Sequence, residues 1–284
     1  LSASSADKTK PTRWIAVRNV APMLGEPSDG AEMVSQILYG EAALVLQACG
    51  DYFCIRTSDA YEGWVKASAL VPEAADVFAH TMACCVVSLL EPIFSAEPPH
   101  VQQTLLTLGT IVHVRHQYPP NASMRMVVNP DGSLSLISAS ALEPSAADAQ
   151  FPTPDAIVTT ALRFVGVPYL WGGRTTFGMD CSGLTQRAYS LNGIILPRDA
   201  DLQAAADGLV AIPPEDMQPA DLLFFGGHDE LHHREIAHVA MAIDRHRFVH
   251  SAGGRGVCIA SFETEPALGQ RLRLCGRLER FISA

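Results

Sequence analysis

Two stretches of this chain repeat one another at an offset of about 70 residues. Ala21-Pro22-Met23-Leu24 corresponds to Glu91-Pro92-Ile93-Phe94, and Ile37-Leu38-Tyr39-Gly40 to Leu106-Thr107-Leu108-Gly109. Lys66-Ala67-Ser68-Ala69-Leu70 corresponds to Ser138-Ala139-Ser140-Ala141-Leu142. The repeated stretch consists of short strand-like runs, such as Trp14 to Val20, Ala43 to Gln47, Tyr52 to Arg56 and Gly63 to Lys66, broken by Gly, Pro, Asn and Asp. Strand content at that period predicts two small all-β barrels in tandem, over residues 12–75 and 76–145.

A Pro- and Ala-rich joint at residues 144–154 separates this region from a different pattern. Ile157, Ala161, Leu162 and Val165 are spaced for one apolar helical face, and a Gly-rich loop runs from Gly166 to Met179. A second helix is expected to start near Cys181, with Leu184, Ala188 and Leu191 on its inner face and Asn192-Gly193 as a stop signal. Asp199 to Ala206 predicts a further short helix. Strand-like runs follow at Leu222 to Phe225, His238 to Ile243, Phe248 to His250, Val257 to Phe262 and Arg271 to Leu278. Helices first and strands afterwards predict an α+β domain over residues 146–284.

Charge narrows the function classes. Asp and Glu outnumber Lys and Arg, 30 to 20, and the cations form no cluster, which argues against a nucleic-acid partner. The longest apolar stretches, such as Cys84 to Leu90, fall far short of the roughly 20 residues that a membrane span needs. Leu1 stands where an initiating Met is expected and Leu1 to Lys10 is small and polar, so a trimmed or processed start is expected and the compartment stays open. Seven cysteines without paired spacing fit neither a disulfide framework nor a zinc site. Cys84 and Cys85, adjacent on a strand, are expected to point to opposite faces as small hydrophobes.

Cys181 is the residue with chemical promise. A thiol is a nucleophile as thiolate, and a helix start offers a favourable dipole and free N–H groups for a negative charge or an oxyanion. The alternation in Ala237-His238-Val239-Ala240-Met241-Ala242-Ile243 puts His238, Ala240 and Ala242 on one strand face, and a hairpin would set His250 beside His238. Spacing alone leaves Cys181 as readable as a small buried hydrophobe.

The run Gly166-Val167-Pro168-Tyr169-Leu170-Trp171-Gly172-Gly173, followed by Gly178-Met179-Asp180-Cys181-Ser182-Gly183-Leu184, is very similar to the NlpC/P60 peptidases. The similarity continues in order through Leu196-Pro197-Arg198-Asp199, Pro219 to Phe225, Ala237 to Met241 and Phe248-Val249-His250-Ser251. Gly63-Trp64-Val65 resembles a strand of bacterial SH3-like (SH3b) domains, from which the second copy departs at Asp131-Gly132-Ser133-Leu134. The resemblance implies a papain-like catalytic domain preceded by two SH3-like barrels, with Cys181 as nucleophile, His238 as base and His250 orienting it.

A subset of these enzymes releases L-Ala-γ-D-Glu from peptides with a free N-terminus, and resemblance to it implies ammonium contacts from Glu41, Tyr61, Asp180 and Ser182. Trp171 and Tyr169 are candidate groove residues, with Arg198 and Asp199 as walls, while Ala200 replaces a hydroxyl residue of the family pattern. The implied partners are murein peptides or peptidoglycan, with meso-diaminopimelate or Lys following the cleaved bond, and no cofactor or metal. Two rivals stay open: an endopeptidase of polymeric wall, and a murein-binding scaffold without activity. The segment Gly226 to Arg234 carries three histidines and two carboxylates, but it falls in a loop and thiol chemistry needs no metal.

Overall fold

The computed structural model describes residues 13–116, 122–145, 152–227 and 235–282. The first seven strands are β1 (Arg13–Ala16), β2 (Val20–Leu24), β3 (Met33–Leu38), β4 (Ala42–Cys49), β5 (Tyr52–Arg56), β6 (Glu62–Lys66) and β7 (Leu70–Pro72). They form one antiparallel sheet in the order β3-β2-β6-β5-β4-β1-β7. The next seven are β8 (Thr81–Val86), β9 (Leu90–Ser95), β10 (Gln102–Thr107), β11 (Ile111–Arg115), β12 (Met124–Val128), β13 (Leu134–Ser138) and β14 (Leu142–Pro144), in the order β10-β9-β13-β12-β11-β8-β14. Adding seven to each label of the first order yields the second, so the sequence repeat is a repeat of topology.

Both sheets are open, where closed barrels were expected: among the described residues the edge strands β3 and β7 do not pair with each other, nor do β10 and β14. For the first sheet the reason is visible at β3, whose residues serve the α+β unit instead. Gln36 Oε1 accepts from the Arg174 backbone N–H at 2.9 Å, and Ser35 Oγ accepts from Arg198 Nε at 3.2 Å. An edge covered by another element needs no closure.

The two sheets dock head to tail through the same turn. Tyr39, just before Gly40, is buried in the core of the second sheet with Val86, Ile93 and Leu106, and its hydroxyl donates to Asn129 Oδ1 at 2.5 Å. Leu108, just before Gly109, is buried in the core of the α+β unit with Ile157, Leu184 and Ala188. Both glycines have positive φ, +77° and +82°. Both also sit where a Cβ would collide: at Gly40 it would lie 2.7 Å from the Ile111 carbonyl oxygen, and at Gly109 it would strike Leu191 and lie 2.6 Å from Arg187 Nη2. Glycine is therefore required twice over at each turn.

The remaining unit begins with α1 (Pro154–Leu162), capped by Thr153, whose side chain accepts from Ala156 N. Ile157 and Ala161 are buried as their spacing predicts. Val165 is exposed because the helix has already ended, and Phe164 takes the inner place. The Gly-rich loop contains a two-residue hairpin, β15 (Arg174–Thr175) and β16 (Gly178–Met179), which leads into α2 (Cys181–Ser190) and then α3 (Ala200–Ala204). A six-stranded sheet follows, ordered β17-β22-β18-β19-β20-β21, from β17 (Leu209–Ile212), β18 (Leu222–Phe225), β19 (His238–Ala242), β20 (Arg247–Ala252), β21 (Gly256–Ser261) and β22 (Leu272–Leu278). A four-residue helix, α4 (Pro266–Gly269), lies before β22. Alternation splits the sheet residues between two cores: Leu222, Phe224, Val239, Met241 and Val249 pack with α2, and Leu223, Phe225, Ala240, Ala242 and Phe248 fill the opposite face.

Among the described residues no helix is long and apolar enough to cross a membrane. All seven cysteines are free thiols, with Cys84 buried and Cys85 on the other, partly exposed face.

Candidate active site

Cys181 is the first residue of α2, and Asp180 is its N-cap. Asp180 Oδ1 accepts from Gly183 N at 2.7 Å and Oδ2 from Gly172 N at 2.9 Å, while both oxygens face the Arg198 guanidinium, the shorter contact being 2.6 Å. Arg198 is 1% exposed. This pair ties the Gly-rich loop, the helix start and residue 198 into one rigid corner. Gly183 completes it, because a side chain there would meet the Gly173 carbonyl. Asp180 was expected to contact a substrate ammonium, but its oxygens are occupied by Arg198 and two backbone N–H groups, so it serves as a cap. Ser182 Oγ likewise accepts from Arg198 Nη1 at 2.9 Å.

The Cys181 thiol is buried, and burial pushes it up to about 12, with the Asp180 charge adding to the effect. The N–H groups of Val239 and Ser182 and the Arg198 charge act in the opposite direction without prevailing. The resting site therefore holds a neutral thiol, where a preformed thiolate at the helix tip was expected: desolvation outweighs the local dipole. Val239 is the residue after His238. Val239 packs in the same core as Cys181 and its N–H reaches the thiol, so the start of β19, where His238 stands, meets the start of α2 at one corner.

His238 Nε2 lies 2.9 Å from His250 Nδ1, with the rings edge to face. His250 is 2% exposed, burial lowers it to about 4, and the ring is neutral near pH 7. Its Nε2 is buried without a hydrogen-bond partner. Ser251, next on β20, donates to the Met179 carbonyl at 2.7 Å and fixes that strand to the loop before Cys181.

A small cleft of about 160 Å³ opens beside Cys181, and two units wall it. The first sheet gives Glu32, Val34 and Tyr61; the α+β unit gives Trp171, Gly172, Asp180 to Ser182, Asp199 to Asp201, Ile236 and Ala237. Tyr61 Oη donates to Asp199 Oδ2 at 3.0 Å, and Trp171 Nε1 donates to Glu32 Oε1 at 2.7 Å. Burial raises the Asp199 carboxyl above its ordinary value and pushes the Tyr61 hydroxyl up. Tyr169 is half-buried near Cys181, and burial first, with Cys181 and Asp180 adding, raises its hydroxyl above the ordinary value.

Glu41 is not brought to this cleft. Its Oε1 pairs with Arg174 Nη2 at 2.6 Å and its Oε2 accepts from Leu38 N, so it closes its own turn and is not a lining residue of the cleft. Glu32 occupies the place expected of it, and no local pattern marks Glu32: its position depends on how β3 docks against the loop at Gly172. Among the described residues no three His, Cys, Asp or Glu side chains are grouped to hold a metal ion, and the His228-to-His233 segment lies outside the described residues.

Residues 166–273 match the family model described as NlpC/P60 family, and residues 23–70 match the one described as bacterial dipeptidyl-peptidase Sh3 domain. A curated relative, dipeptidyl-peptidase 6 of Lysinibacillus sphaericus, is 30% identical over 265 residues, covering 89% of this chain and 93% of the relative. The chain belongs to the NlpC/P60 family. A second relative of this NlpC/P60 protein, the gamma-D-glutamyl-L-lysine dipeptidyl-peptidase of Bacillus cereus, is 39% identical over 104 residues, 37% of this chain and 30% of that one. The crystal structure of an NlpC/P60 family protein from Bacillus cereus has the same overall fold, with a TM-score of 0.81 at 21% identity over 94% of this chain and 99% of the other. The family is one of peptidases, and its model spans both Cys181 and the two histidines.

Proposed function

We propose that this protein is a cysteine peptidase that cleaves the bond between γ-D-Glu and a diamino acid in murein peptides, and that it reads a free N-terminal L-Ala. The observation that carries the reading is the cleft: an SH3-like sheet closes one end of the space beside Cys181 and adds a carboxylate and a phenol to it. The relatives named dipeptidyl-peptidase support the same reading, since such an enzyme must sense a chain end.

Cys181 attacks the γ-carbonyl, and His238 takes its proton as the C–S bond forms. Proton transfer coupled to attack suits a thiol that burial keeps neutral. In the productive tautomer His238 Nε2–H donates to His250 Nδ1, leaving His238 Nδ1 bare to receive the thiol proton. His238 then returns the proton to the leaving amine, and water resolves the acyl-enzyme. Backbone N–H groups at the start of α2 stabilise the oxyanion.

Glu32 and Asp199, in place of Glu41 and Asp180, neutralise the substrate ammonium, with Tyr61 holding Asp199 in position and Trp171 holding Glu32. A blocked amine leaves these carboxylates facing a neutral group, a loss of about 1–3 kcal/mol. The second sheet, which shares the strand order of the first, is a diverged copy that braces the catalytic unit, giving three domains near residues 12–75, 76–145 and 146–284.

The test is a mass-resolved digest of L-Ala-γ-D-Glu-diamino acid peptides with free and with muramyl-blocked L-Ala. The expected product is L-Ala-γ-D-Glu from the free peptide, with turnover of the blocked one at least about tenfold lower. Equal cleavage of both contradicts end recognition and favours an endopeptidase of polymeric wall. Cys181→Ala must abolish both reactions; binding without turnover in the unmutated protein would leave only a scaffold.

A further inference from the structure

A second cavity, far larger than the catalytic cleft, lies where all three units meet. It measures about 900 Å³, within the size range of small-molecule sites, and shares no lining residue with the cleft at Cys181. Cys181 is at the start of α2, and this cavity lies against the end of that helix, at Arg187, Ser190 and Leu191.

Four arginines line it, Arg13, Arg163, Arg174 and Arg187, and the last two are buried. Arg187 is 6% exposed, yet it makes a single hydrogen bond, Nη2 to the Leu108 carbonyl at 3.0 Å, and no carboxylate pairs with it among the described residues. Arg174 is 8% exposed; Nη2 pairs with Glu41 at 2.6 Å, and its Nε is buried without a partner. The groups feel each other: burial first, and the Arg174 charge second, lower Arg187 to about 10. Arg163 and Arg13 add two further positive charges to the lining, and Glu41 and Glu143 add two carboxylates, of which Glu41 pairs with Arg174. A guanidinium offers five donors in a planar fork, and Arg174 Nε, buried without a partner, carries a desolvation cost that nothing in the protein offsets. The costs recede if an anion fills the space, because carboxylate and phosphate both match the fork with two parallel bonds.

We propose that this junction cavity is a binding site for a small organic oxyanion, a carboxylate or a phosphate, held between Arg174 and Arg187. Since α2, the Leu108 turn of the second sheet and the Glu41 turn of the first all border the site, an occupant bonds to the units at their common seam and stabilises their assembly.

The experiment uses the full chain. Thermal unfolding and isothermal titration are run with inorganic phosphate and, separately, with malonate, at ionic strength held constant with sodium chloride. A saturable rise in melting temperature with either anion, absent with chloride, is the expected result, and the anion that produces it identifies the preferred class. Arg187→Met is expected to weaken that binding by at least tenfold. Glu41→Gln, which frees Arg174 from its competing carboxylate and keeps the turn's shape, is expected to tighten it several-fold; this opposite sign guards against an Arg187 variant that merely fails to fold. If neither anion binds saturably to the wild type or to Glu41→Gln, or if Glu41→Gln weakens binding, the proposal is overturned.

Discussion

The first and second sheets have one strand order and one docking turn, but they face different parts of the molecule. Tyr39 and Gly40 join the first sheet to the second, and Leu108 and Gly109 join the second to α2. The first sheet additionally reaches the cleft, because Glu32 precedes β3 and Tyr61 precedes β6. At the corresponding places, before β10 and before β13, the second sheet has Val101 and Ser133, both exposed and neither a lining residue of the cleft at Cys181. Ser133 Oγ donates to Asp131 Oδ1 and accepts from Asn129 Nδ2 within its own turn instead. One architecture thus supports two placements: side chains at two strand starts of the first sheet wall the cleft at Cys181, and the shared Gly turn docks each sheet on the next unit.

The sharpest way to break this division is at Leu108. Leu108→Ala removes a side chain buried in the catalytic core and is expected to cost about 2–5 kcal/mol in chemical denaturation. Peptide specificity, the ratio of kcat/KM for free and blocked substrates, should stay as it was; a collapse of that ratio would show that the second sheet also reads the substrate.

A smaller effect of the opposite kind is expected in the first sheet. Glu32→Gln should lower kcat/KM for the free-amine peptide by about 10- to 100-fold, as expected when a carboxylate facing an ammonium is neutralised, with stability nearly unchanged. Ser133→Ala in the second sheet should leave kcat/KM untouched. Glu41→Gln should also spare the discrimination between free and blocked peptides, which separates the observed cleft from the arrangement expected from the sequence.

The smallest effect belongs to the first docking turn. Tyr39→Phe keeps the ring in the second sheet's core and loses one hydrogen bond, leaving Asn129 with its contacts to Ser133 and Ser135. A loss of about 1 kcal/mol in urea unfolding is expected, with unchanged turnover. A loss as large as that of Leu108→Ala would show that the two turns are equivalent.

Much of this was legible in the sequence. The repeat appears in matched triplets of motifs, and its topology follows from them strand by strand. The hairpin that brings His250 to His238 follows from two-residue alternation across β19 and β20, and the helix from Cys181 follows from the spacing of Leu184, Ala188 and Leu191, while Asp180 as its cap does not. What escaped depends on contacts between units. Glu41 and Glu32 are both acidic residues beside a glycine turn, and only the docking of β3 against Gly172 to Arg174 decides which one reaches the cleft. Open sheets escaped for the same reason, since β3 bonds to the catalytic unit. Val165 was misplaced because nothing in the apolar spacing marks a helix end at Leu162. The thiol's state escaped too: a helix start argues for a lowered value, and only three-dimensional burial shows that desolvation prevails.

The pairing of Cys181 with His238 is the claim on which the function rests, and alkylation of that one thiol tests it most directly. Iodoacetamide labelling of Cys181, followed by peptide mass spectrometry across pH in the wild type and in His238→Ala, separates assisted from unassisted ionisation. In the resting site the thiol, raised to about 12, stays protonated at neutral pH, so alkylation there depends on His238 taking the proton as the sulfur attacks. Without that base, reactivity comes only as pH climbs far into the alkaline range. The wild type should therefore label readily near pH 7, and His238→Ala should label at least about tenfold more slowly there, its rate still rising at high pH. Superimposable profiles for the two proteins would contradict the account, because the imidazole would then have no part in preparing the sulfur.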